Sequence, residues 1–107
     1  LNEMDRLVRR MEERRLTTRL GDTKIRILEI LFSKQLHGYG IWKELREAFG
    51  LEISIPSVYE HLAELEMLEL IRRTKTEAVA GRRERQYYSL TETGRDAVRT
   101  VSKLAAT

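Results

Sequence analysis

A mainly α fold with a small β-hairpin, a winged helix-turn-helix carrying extra N- and C-terminal helices, is what the sequence predicts. Three observations lead there. Apolar residues recur at helical spacing in five stretches, separated by glycines or by residues that cap helices. Two short stretches around residues 71–77 and 84–90 suit strands and enclose the loop AVAGRR. That basic hairpin directly follows an amphipathic helix with a polar outer face, the order of a reading helix and its wing. The 107 residues form one domain: an N-terminal helix at 1–20, a core at 22–90 and a terminal helix at 91–107.

Each element has a local cause. Residues 1–20 contain neither glycine nor proline, and Leu1, Met4, Val8 and Met11 keep a 3–4 spacing with Leu7 beside them. This narrow seam, on a stretch with six arginines and four acids, suits one neighbouring helix, either in the same domain or in a second subunit. Gly21 ends that helix, and Asp22 or Thr23 can cap the next. Ile25, Ile27, Leu28, Ile30, Leu31 and Phe32 are apolar on nearly every side, which predicts a helix through the middle of the core. His37 or Gly38 breaks the chain. A helix from about 39 to 49 places Ile41, Leu45, Ala48 and Phe49 on one face, with Trp42 beside it, and Gly50 stops it.

Residues 51–53 read as a very short strand or an extended link. Ser54 offers a cap, and Pro56 falls in the first helical turn, where its missing N–H is harmless. Val58, Leu62 and Leu65 then point inward, while Ser57, Glu60, His61 and Glu64 point away. In the returning strand Tyr88 and Leu90 share a face and Tyr87 takes the other. Thr91 caps a final helix whose stripe is Ala97, Val98, Val101, Leu104 and Ala105.

Composition narrows the function. The net charge of +3 and pI near 9.4 permit nucleic-acid binding without demanding it. With no cysteine, disulfides, thiolate metal sites and a cysteine nucleophile are excluded, and a cytoplasmic setting fits. No apolar run approaches the ~18 residues of a membrane span, so no membrane partner is expected. His37 and His61 match no metal-ligand spacing, and no phosphate-binding glycine loop or nucleophile–base arrangement occurs. Neither an enzyme nor a resident cofactor is expected.

Three segments carry a family likeness. HGYGIWKEL (His37 to Leu45), ISIPSVYEHLAELEMLELI (Ile53 to Ile71) and GRRERQYYSLTETGR (Gly81 to Arg95), in this order and spacing, resemble the PadR family of winged-helix transcriptional regulators. The likeness covers roughly residues 22–100 and leaves the N-terminal helix outside the common core. It implies a homodimer joined through terminal helices, binding a palindromic stretch of double-stranded DNA, in many relatives as a repressor released by a small aromatic ligand. Met4, Val8 and Met11 on the first helix and Val98, Val101 and Leu104 on the last are then the candidate dimer residues. Two departures stand out. Glu69 and Pro56 occupy positions where the family has, usually or often, glycine. A left-handed Glu69 costs ~1 kcal/mol.

The charge map complicates a simple reader of DNA. Residues 55–71 hold four glutamates and no Lys or Arg, whereas residues 72–85 hold six basic residues and two acids. Arg82, Arg83 and Arg85 are therefore the candidate phosphate and minor-groove grip, with Gly81 letting the backbone approach closely. Ser54, Ser57, Tyr59 and His61 remain for phosphates or base edges in the major groove. A glutamate can itself accept from cytosine, and Glu64 can instead pair with a basic residue elsewhere in the protein. The alternative function is a winged-helix protein–protein interaction module whose acidic helix meets a basic partner.

Overall fold

The computed structural model describes residues 3–81 and 84–105, with side chains except at 9, 12–19, 104 and 105. Helix α1 (Glu3–Ser33) is two helices joined at a kink, because Gly21 sits at φ 77°, ψ 164°, a conformation open to glycine alone. Past Gly21 the helix enters the core: Ile25, Ile27, Leu28, Ile30 and Leu31 are all buried. Phe32, expected among them, lies at the edge instead, with the guanidinium groups of Arg95 and Arg99 at 5.5 and 5.9 Å from its ring centre.

Strand β1 (Leu36–His37) follows, then α2 (Gly38–Phe49), α3 (Ile55–Met67), β2 (Ile71–Glu77), β3 (Arg85–Leu90) and α4 (Glu92–Ala105). The sheet order is β1-β3-β2, all antiparallel, so the hairpin gains a third strand that the sequence does not announce. Leu36 pairs with Tyr88 and His37 with Tyr87. Residues 51–53 form an extended link rather than a strand. Trp42 Nε1 donates to the Ile53 carbonyl at 2.7 Å, which fixes the approach to α3.

In α2, Ile41 and Leu45 are fully buried, but Ala48 and Phe49 leave the core. Phe49 packs under Arg26, 5.0 Å from the ring centre. Gly50 ends the helix at φ 65°. Helix α4 lies along α1. Val98, expected in a dimer seam, is a correction: it is 7% exposed and belongs to the chain's own core, because α1 already covers that side of α4. Val101 is half-buried against the same core, and the Leu104 side chain lies outside the described residues. The radius of gyration, 15.2 Å, exceeds the ~13 Å of a compact chain this long, and the described residues extend 58 Å along the longest axis.

Candidate nucleic-acid interface

Helix α3 is built to be held from one side. The Ser54 hydroxyl accepts from the Ser57 N–H at 3.2 Å and donates to the Ser57 hydroxyl at 2.9 Å, capping the first turn. Pro56 follows in that turn. Val58, Leu62 and Leu65 are buried, so the opposite row, Pro56, Glu60, Ala63 and Met67, faces outward and is exposed. At the far end Glu69 N–H donates to Glu66 O and Leu70 N–H to Leu65 O, at 2.9 and 3.0 Å, the paired bonds of a Schellman turn. The turn demands a left-handed residue, and Glu69 supplies it at φ 59°.

The acidity of α3 is largely absorbed inside the fold. Lys24, reaching from α1 with its side chain only 11% exposed, meets Glu64 at 2.7 Å. That contact holds the Glu64 carboxyl below its ordinary range, first by the hydrogen bond and then by the positive charge. Arg73 on β2 meets Glu66 at 3.1 Å. Glu60 makes no ion pair or hydrogen bond among the described residues.

The wing is irregular by one residue. Between the pairs Arg73–Tyr88 and Thr76–Gln86, Thr74 and Lys75 together face Tyr87, a bulge that raises local twist. Gln86 Nε2 donates to the Lys75 carbonyl at 3.2 Å, and Lys75 Nζ lies 4.7 Å from the Tyr87 ring centre. Tyr88 is buried, which raises its phenol pKa, while Tyr87 packs on the His37 ring at 5.3 Å. Both tyrosines thus tie the wing to the body.

Between wing and helices runs an open groove of about 1180 Å³. Tyr39 and Tyr59 stand on the helical side, Gly81, Glu84, Arg85 and Gln86 on the wing side, and His37 at its base. Tyr39 and Tyr59 are 51% and 46% exposed, so both rings are displayed rather than packed away. Gly38 makes this possible, because any Cβ there collides with the Tyr59 ring. Among the residues the sequence nominates, the fold brings Tyr59 and Arg85 to this one groove, with Ser54 and Ser57 at the start of the same helix. Arg85 also faces Glu77 at 3.9 Å. Arg82 and Arg83 lie outside the described residues.

His61 stands apart. It is half-buried on the flank of α3 toward Lys24, with Nδ1 unpartnered, and burial, then the Lys24 charge, lowers its pKa. His37 is lowered by burial and then by Arg85. Sequence reasoning missed Tyr39, which starts α2 beside a glycine, and Lys24, whose partner is remote in sequence. Among the described residues no cluster could hold a metal ion, and no helix is long and apolar enough to cross a membrane.

An amphipathic helix with one exposed face, a β-wing and a shared groove define a winged helix-turn-helix protein. Residues 27–100 match the profile of the transcriptional regulator PadR-like family, and the chain belongs to that family of non-enzymatic DNA-binding regulators. Among solved structures it resembles Bacillus subtilis PadR in complex with operator DNA, with 26% identity and a TM-score of 0.65 over 71% of this chain. The chain spans only 44% of that protein. A PadR family regulator from Clostridium difficile is 29% identical, TM-score 0.68, over 78% of this chain and 85% of the other. A PadR-like regulator from Bacillus cereus shares the fold at 23% identity, TM-score 0.65, over 84% of each chain. No curated protein sequence matches the chain.

Proposed function

We propose that this regulator is a homodimeric, sequence-specific repressor that lays α3 in the major groove of double-stranded DNA and grips phosphate or the minor groove with its wing. The observation that supports this most is the pairing of α3: Lys24 and Arg73 occupy two of its three carboxylates, so among the described residues only Glu60 brings an unmatched charge to a phosphate-lined groove. Ser54, Ser57 and Tyr59 then lie within reach of backbone or base edges, and His61 borders that surface from its half-buried flank. Arg82, Arg83 and Arg85 supply the wing's cations. Met4, Val8 and Met11, 67%, 46% and 62% exposed, offer the dimer seam, joined by Val101 and Leu104. Release by a small aromatic ligand belongs to the same reading. Such a role is exercised in the cytoplasm.

The test is the salt dependence of DNA affinity. Arg83→Ala lowers the counterion slope by about one unit for each phosphate that the wing ceases to neutralise. An unchanged slope in an Arg82→Ala/Arg83→Ala double variant removes the wing from the proposal. Titrating a small aromatic compound into the DNA complex tests release.

A further inference from the structure

The four glutamates of the α3 segment are not equivalent. Glu64, one turn beyond Glu60 and exposed, is held by Lys24, and Glu66, half-buried, by Arg73. Glu69 sits in the left-handed turn beyond the helix end. Glu60 alone occupies the centre of the outward row, exposed and without an ion pair or hydrogen bond among the described residues. Its neighbours on that face are Pro56 and Ala63, both short, and Glu64, whose charge Lys24 already matches. A carboxylate left bare there repels phosphate. It becomes favourable only where it meets a hydrogen-bond donor at the floor of the groove.

We infer that Glu60 is a specificity-determining residue that reads a cytosine. Resting on the DNA-binding role proposed above, it takes the cytosine N4 amino group as donor to its carboxylate. The major-groove chemistry separates the bases. Cytosine presents a donor without an adjacent acceptor on its own edge, thymine an O4 acceptor, and guanine two acceptors. Adenine offers its N6 amino group beside the N7 acceptor, a pair that suits an amide better than a carboxylate. The negative charge that weakens binding to DNA in general thus raises the ratio between the right site and all others.

Selection from a randomised duplex library, run in parallel at one salt concentration with the wild type, Glu60→Gln and Glu60→Ala, tests this. The wild type is expected to select a half-site with one position where cytosine is favoured over thymine by roughly tenfold, within the range for one mismatched pair. Glu60→Gln shifts that position toward adenine, and Glu60→Ala abolishes the preference there while leaving the other positions intact. If all three proteins select the same sequence, Glu60 reads nothing and the inference falls, even where Glu60→Ala binds all DNA more tightly. If the wild type selects no sequence, the DNA-reading role itself fails and this inference with it. Circular dichroism of the variants shows that the helices persist, as expected for an exposed site.

Discussion

The two halves of α1 are covalently one helix and physically two. Beyond Gly21, Leu28 and Ile27 are 2% and 0% exposed; before it, Met4 and Leu7 are 67% and 53% exposed. The difference lies in how apolar residues are distributed around the helix. The second half is apolar on nearly all sides and is enclosed by α2, α3, α4 and the sheet. The first carries one seam on a charged rod, and a seam is buried by a single neighbour. The arm adds Leu20 to the core just before the break, whereas Met4, Leu7, Val8 and Met11 leave an apolar surface uncovered.

The largest expected effect comes from breaking the finished half. Leu28→Ala costs about 2–5 kcal/mol, a large part of the ~5–15 kcal/mol available, as read by urea denaturation. A loss below about 1 kcal/mol would mean that the core is centred elsewhere. Next is the junction. Gly21→Ala costs about 1–3 kcal/mol through backbone strain, since an added Cβ meets nothing within 4 Å. If the variant melts like the wild type, the break at Gly21 is not a constraint of the fold.

Acidification has a smaller effect. Lys24, on the finished half, helps lower the pKa of His61, which also faces Glu64 and Glu60. His37, facing Arg85 and Glu77, is lowered too. The unfolded chain then binds more protons, so stability is full above the ordinary histidine value of 6.5 and declines as pH falls through it. Glu64, shifted down, contributes fully above its ordinary 4.5 and loses that contribution only as pH falls below it, outside this window. Melting at about pH 7.5 and about pH 5.5, on either side of the histidine range, measures the decline, and His61→Gln reduces it. Leu7→Glu, on the arm, changes folding least, by about 0.5 kcal/mol or less at an exposed site. On the proposed dimer it lowers self-association instead, and sedimentation that matches the wild type excludes the arm from that contact.

What could be seen in the sequence was whatever backbone chemistry decides locally. Gly50, the Ser54 cap, Pro56 and the strand bounds of the hairpin are in this class, as is Gly21. Strand β1 was hidden because two residues have no periodicity, and its hydrogen bonds come from β3. Val98 was misplaced because an apolar stripe looks the same whether its cover is the same chain or another. In the interface, the serine cap and the polar row of α3 were legible. The ion pairs that match two of its carboxylates were not, since Lys24 and Glu64 are distant in sequence and meet only in the fold.

Thr91 holds a further consequence. Its hydroxyl donates to the Glu69 carbonyl at 2.7 Å and accepts from the Gly94 N–H at 3.0 Å, while its own N–H donates to the Leu70 carbonyl at 3.1 Å. The left-handed turn that follows α3 and the first turn of α4 are thereby pinned at one residue. The start of α4 is thus fixed to the turn that closes α3 by three hydrogen bonds at Thr91. The residue that begins the terminal helix is the pivot of a lever whose short arm is α3.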